Sequence, residues 1–203
     1  VVICDYEPIT AWAARQQNKK TIGISHQYAF QYHIPRAGTD PVSEAVMRNF
    51  APVDIGIGLH WHHFDQPILP PVIETPIIAQ QIQRNKVVIY LPFEDQQQVM
   101  KLLSPFKEFE FFIYSPENVT SPYAHIHCKP LSLHGFQKDL SDCTGIICNA
   151  GFELASESLQ LGKKILVKPV HAQMEQTSNA AALQLLGYGK MMHSNDAKII
   201  EQW

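Results

Sequence analysis

Residues 146–157 read Ile146-Ile147-Cys148-Asn149-Ala150-Gly151-Phe152-Glu153-Leu154-Ala155-Ser156-Glu157. A short apolar run without alternation passes through two small residues into a stretch of helix formers. Such a run is a strand covered on both faces, and a strand that turns straight into a helix belongs to a parallel α/β sheet. Ligands of these sheets lie beyond the carboxyl ends of the strands. Ala150 and Gly151 let a ligand approach the backbone. The helix that follows offers free N–H groups and the positive end of its dipole, which favour a phosphate. Glu157 stands one turn in, four residues after Glu153, where a carboxylate can accept two hydrogen bonds from a ribose diol.

A second turn of the same kind follows: Val167-Lys168-Pro169-Val170-His171-Ala172-Gln173-Met174-Glu175-Gln176-Thr177-Ser178-Asn179-Ala180. A strand ends, a loop turns and a helix begins. His171, Gln173, Glu175, Gln176 and Asn179 form a dense set of groups able to read hydroxyls, as a sugar requires. Either turn taken singly reads equally well as helix capping with a solvated face.

Outward from these turns the pattern repeats. Strands are expected at 86–90, 110–114, 126–129, 145–148 and 164–168. Helices are expected at 94–103, 136–141, 153–161 and 175–186, the last closed by Gly187, whose position favours left-handed backbone. Nearer the start, Val1–Cys4, Ile9–Gln17 and Thr21–Ser25 read as strand, helix and strand, with Pro8 where a first-turn proline is tolerated. A short helix over Val42–Phe50 and a strand over Asp54–Trp61 come next. The stretch from Gln66 to Pro76 holds Pro67, Pro70, Pro71 and Pro76, too many for regular helix or central strand. The expected organisation is therefore a first Rossmann-like part over 1–65, a linker over 66–85 and a doubly wound domain over 86–203.

The chain has 203 residues, 45% hydrophobic and 17% charged, with net charge −3. That composition is globular, and the charge gives no broad attraction to nucleic acid. No apolar run approaches the ~18 residues that span a bilayer. The opening Val1-Val2-Ile3-Cys4-Asp5 resembles the inside of a strand, not a signal peptide, so further residues are expected before Val1. Cys4, Cys128, Cys143 and Cys148 form no CxxC pair and read as buried apolar residues of a reducing compartment. The run Leu59-His60-Trp61-His62-His63 puts two histidines on one strand face. Its only nearby carboxylate is Asp65, so a polar lining is expected there and no metal site. His26, at a strand end, is a candidate acceptor contact.

The run Ala150–Glu157, then Leu161-Gly162-Lys163-Lys164-Ile165-Leu166-Val167-Lys168-Pro169, then Glu175-Gln176-Thr177-Ser178-Asn179-Ala180, resembles the donor-site signature of GT-B glycosyltransferases. MurG-like N-acetylglucosaminyltransferases and a family of uncharacterised bacterial and archaeal glycosyltransferase-like proteins, of the family 1-like kind, are the nearest groups. The likeness is strong over 86–190 and weaker over 1–80. It implies a GT-B fold of Rossmann-like, doubly wound parallel sheets, with the amino-terminal domain incomplete in this chain. It implies transfer of a sugar from a nucleoside-diphosphate sugar, with UDP as the nucleotide, to an acceptor glycan or lipid-linked saccharide of the cell envelope. The backbone at Ala150, Gly151 and Phe152 would face the diphosphate and Glu157 the ribose, with Asn149 and Glu153 also in the donor site. Gln173, Glu175 and Gln176 would bind the transferred sugar or nearby ribose, His171 and Asn179 would belong to the same donor site, and Phe136 would lie near the base. The turn Leu91-Pro92-Phe93 departs from the family, which has Gly or Ser there. The resemblance implies a catalytic base outside this chain, with His26 the weak candidate within it. It implies no cofactor or metal, no nucleic-acid partner, and a cytoplasmic setting with peripheral attachment at the inner membrane face through the acceptor domain. Two other readings stay open: a sugar-nucleotide 2-epimerase of the same fold, and a donor-binding subunit lacking its own base.

Overall fold

In a computed structural model, which describes residues 1–38 and 41–203, the chain divides into two compact units, Val1–Ile73 and Glu74–Trp203. The division falls inside the stretch read as a linker. Leu69, within that stretch, pairs in parallel with Leu59, and Ile68 is buried; residues 70–85 carry neither helix nor strand.

The first unit carries a parallel sheet of β1 (Val2–Cys4), β2 (Thr21–Ser25) and β3 (Ile55–Gly58), in that order. Helix α1 (Pro8–Gln16) begins at the proline, and Glu7 caps it by accepting from the Ile9 and Thr10 amides. A second helix, α2, spans Pro41–Asn49. Between β2 and α2, a 3-10 turn over His26–Gln31 lies flat on the sheet, which two glycines permit. A Cβ on Gly23 would come within 2.3 Å of the Tyr28 ring, and one on Gly58 within 2.6 Å of the Ala29 backbone. Strand β3 is shorter than the expected 54–61, because beyond Gly58 the chain pairs with Leu69 instead.

The second unit is a six-stranded, all-parallel sheet in the order β6-β5-β4-β7-β8-β9. The strands are β4 (Lys86–Tyr90), β5 (Glu110–Ser115), β6 (Ile126–Pro130), β7 (Gly145–Cys148), β8 (Lys164–Val167) and β9 (Lys190–Met191). Helices α3 (Gln96–Leu103), α4 (Leu133–Asp142), α5 (Phe152–Gln160), α6 (Met174–Leu185) and α7 (Ala197–Gln202) connect and follow them. Strand order reverses beside β4: β5 and β6 run one way from it, β7 to β9 the other. That reversal is the switch point at which such folds bind ligands. The core packs Val87, Ile89, Phe111, Ile113, Ile147 and Leu166 against Val99, Met100 and Leu103 of α3 and Ile200 of α7.

Helix starts differ from expectation for capping reasons. Asp95 accepts from the Gln97 and Gln98 amides, so α3 starts at Gln96 and not at Glu94. Ser132 accepts from the Gly135 amide, and α4 starts at Leu133, three residues before the expected Phe136. Gly187, just past α6, has φ of +71°, as a helix-ending glycine should. Buried Lys86 sits between Asp139 at 2.8 Å and Asp142 at 2.5 Å, which supplies the partners a buried ammonium needs.

Candidate functional site

The carboxyl ends of β7 and β8 are tied together by the two turns singled out in the sequence. The Asn149 amide nitrogen, Nδ2, donates to the Lys168 carbonyl at 2.8 Å, and the Asn149 backbone N–H donates to the Tyr90 carbonyl on β4 at 3.2 Å. Asn179 Nδ2 donates to the Ala150 carbonyl at 3.0 Å. Gln176 Oε1 accepts from the Val170 amide at 3.0 Å. Asn149, Gln176 and Asn179 are all buried. These side chains therefore build the turns. Asn179 gives its amide to the backbone, and of the Gln176 amide only the Nε2 donor could serve a ligand.

Between those ties, α5 opens toward solvent. Gly151 is its N-cap and no side chain caps it. Gly151 has an ordinary extended backbone, φ −68°, so conformation does not demand glycine here. Packing does not demand it either: a Cβ built on Gly151 meets nothing within 4 Å, so the space before the start of α5 is open. Helix α6 likewise starts at Gln173 without a side-chain cap. His171 and Gln173 are exposed and Glu175 is half-buried. Between the first two, Ala172 holds φ of +58°, a left-handed conformation uncommon for a residue with a Cβ.

Beside α5 a cavity of about 270 Å³ is lined by Tyr90, Tyr114, Leu133, Phe136, Glu153 and Glu157, among others. It is at the small end of ligand sites. Three rings form one wall: Phe136 meets Tyr90 edge-on at 5.5 Å and Tyr114 edge-on at 5.1 Å. The Tyr114 hydroxyl donates to Asp139 at 2.6 Å; burial and then that carboxylate push the phenol's pKa above its ordinary value. The carboxyl of Glu157 is also raised, first by burial and then by the charges of Glu153 and Glu74. A larger hollow of about 530 Å³ lies at the other end of the sheet, against Val87, Phe111, Lys164 and Trp203. That is the amino-terminal end of the strands, the wrong end for the ligand of a doubly wound fold.

The candidate residues thus separate. Phe136, Glu153 and Glu157 share one cavity. Asn149, Ala150, Gly151 and Phe152 form the mouth of α5. His171, Gln173, Glu175, Gln176 and Asn179 belong to the next turn and do not line that cavity. His26 belongs to the first unit, where it is buried, with Nδ1 2.9 Å from the Leu59 carbonyl and its ring against Phe30, His60 and Trp61. His62 and His63 stack at 4.7 Å, and their Nδ1 atoms accept from the Phe64 and Asp65 amides. Sequence reading missed Tyr90 and Tyr114. Both stand at or beside the last residue of a strand on the carboxyl edge, the one signal that would have found them.

The model of glycosyl transferase family 1 matches residues 1–203. The chain belongs to glycosyl transferase family 1. Its fold is that of GT-B glycosyltransferases. The calicheamicin glycosyltransferase CalG4 superposes with a TM-score of 0.61 over 99% of this chain and 63% of its own, at 10% identity. Spinosyn rhamnosyltransferase SpnG, in complex with spinosyn aglycone, gives 0.62 over 94% of this chain and 58% of its own, at 16% identity. MurG of Acinetobacter baumannii gives 0.61 over 96% and 60%, at 16% identity. In each case the family 1 chain spans less than two thirds of the other protein's length. No curated protein matches it.

Proposed function

We propose that this family 1 chain binds a nucleoside-diphosphate sugar, with UDP as the nucleotide, and takes part in transferring the sugar to an acceptor. One observation carries the reading: an uncapped helix start with open space before Gly151, next to a ring-walled cavity that also holds Glu153 and Glu157. The diphosphate would sit at the Gly151–Phe152 amides. The base would lie in the cavity against Phe136, Tyr90 and Tyr114, and the ribose hydroxyls on Glu157. The reaction would be displacement at the anomeric carbon. The α5 dipole would stabilise the departing diphosphate, so that the step calls for no metal.

The acceptor as a glycan or lipid-linked saccharide, a role in the cell envelope, a cytoplasmic setting and attachment at the inner membrane face rest on the resemblance alone. Among the described residues, no helix is long and apolar enough to cross a membrane.

A thermal-shift screen with UDP, GDP, dTDP and ADP, followed by calorimetry, tests the reading, because a ligand of the native state raises its stability. UDP should give the largest shift. A protein indifferent to every nucleoside diphosphate does not have this function.

A further inference from the structure

Lys168 follows β8, and Glu94 lies in the loop after β4; β7 runs between those two strands. The strands are each ~4.8 Å apart, yet Lys168 Nζ reaches Glu94 Oε1 at 2.5 Å. The pair therefore bridges over the carboxyl end of β7, where the chain leaves through Asn149 and Ala150 toward the open start of α5. Both side chains are largely buried, 13% and 17% exposed. Directly after β7, Asn149 is 7% exposed and its Oδ1 has no hydrogen-bond partner. Its Nδ2 already holds the Lys168 carbonyl. A buried acceptor without a donor is costly, and the side chain that carries it is bonded to the backbone of Lys168, whose ammonium has three protons to give.

We propose that the Glu94–Lys168 pair is an exchangeable strap. Glu94 neutralises Lys168 while the site is empty, and an arriving diphosphate takes the ammonium from Glu94. Lys168 then binds the phosphate oxygens beside the α5 amides, with one proton on Asn149 Oδ1, and Glu94 is released toward solvent. The inference rests on the donor reading above, and it supplies the charge that the glycine-free turn Leu91-Pro92-Phe93 does not. It separates two roles: Lys168 touches the ligand, and Glu94 acts only by competing for Lys168.

The roles give opposite signs. Lys168→Met should weaken UDP and inorganic pyrophosphate by roughly tenfold to a hundredfold, as loss of a charged hydrogen bond does. Glu94→Gln should tighten both by several-fold, because the competing carboxylate is gone. Uridine should bind all forms alike. Calorimetry with the three probes reads this, and thermal melts check that each variant folds. In the wild-type protein, pyrophosphate should also shift the Glu94 carboxyl carbon resonance, a measurement that needs no variant. A simple brace makes both substitutions weaken binding; that result, or an unmoved Glu94 resonance at saturating pyrophosphate, overturns the strap and leaves the donor reading standing. Pyrophosphate bound without UDP sinks the donor reading alone, with the strap judged on pyrophosphate. A wild-type protein that binds neither overturns both.

Discussion

Asn179 of α6 donates its side-chain amide to the carbonyl of Ala150, the residue that leads from β7 into α5, at 3.0 Å. The two residues are 1% and 0% exposed, so this bond fixes the start of α5 from inside the protein. Asn179→Ala removes the donor and leaves a buried carbonyl unpaired, at a cost of about 1–3 kcal/mol. The expected outcome is a lower midpoint in urea and weaker UDP binding together, since the turn proposed to hold the diphosphate loses its support. A variant as stable as wild type would show that the carbonyl finds another donor and that the turn does not depend on α6.

Glu157 carries a sign that can be worked out. Its folded-state carboxyl is raised, chiefly by burial, so near and above the ordinary carboxylate range the folded chain holds this proton more tightly than the unfolded chain. Stability from this group therefore falls as pH rises through that window. Glu157→Gln should flatten the slope there and leave the protein at least as stable at neutral pH. The same change should weaken UDP binding by roughly tenfold to a hundredfold if the carboxylate takes the ribose hydroxyls. Melts from pH 4 to 8 and calorimetry read the two effects. Unchanged UDP affinity would make Glu157 a carboxylate of the cavity rim and no more.

His60 gives the opposite slope. Burial, then the neighbouring rings of His26 and His62, depress its pKa from 6.5 to about 3. The unfolded chain takes up this proton below about pH 6.5 and the folded chain does not. Stability is thus full above that pH and lost as pH falls toward 3. His60→Phe, which keeps a ring between Trp61 and Phe64, should make the first unit markedly less acid-sensitive. A ring titration by NMR that finds His60 protonating near 6.5 in the folded protein would remove the basis for this.

The centre of the parallel sheet was legible because β4 and β7 are buried on both faces and so read as nearly uninterrupted apolar runs. Gly145–Cys148 and Lys86–Tyr90 have the limits expected of them. Strand β9 and helix α7 were not legible. Two residues, Lys190 and Met191, carry no period, and α7 is six residues long. In the site, the glycine and the helix start were readable locally. The ring wall was not, because Tyr90, Tyr114 and Phe136 come together only through the order β5-β4-β7 and the placing of α4. Nor was the Glu94–Lys168 pair, 74 residues apart in sequence. The roles of Gln176 and Asn179 looked like ligand contacts for the same reason: a local pattern shows which groups can form hydrogen bonds and not which backbone atoms already hold them.

The loop over 171–176 is expected to discriminate the sugar, and the structure sharpens which residues should do so. Its strand, β8, neighbours β7, so the loop stands one strand spacing, ~4.8 Å, from the proposed diphosphate position, about the offset of a hexose from its diphosphate. His171 and Gln173 are exposed, and Gln173 makes no side-chain cap; their polar atoms can turn to hydroxyls. Gln176 is held by the Val170 amide. His171→Ala and Gln173→Ala should therefore weaken UDP-sugar binding while leaving UDP itself unchanged, because hydroxyl-reading groups matter only when a hydroxyl is present. Gln176→Ala should instead lower stability by about 1–3 kcal/mol, through the unpaired Val170 N–H. Ala172, held at φ +58°, adds a control: Ala172→Gly should relieve strain and stabilise the chain by a few tenths to about 1 kcal/mol. Calorimetry with both ligands and melts on all four variants separate these effects. Equal losses for UDP and UDP-sugar in the Gln173 variant would move this loop to the ribose, and no loss in either exposed variant would make it a connection without a role in the sugar.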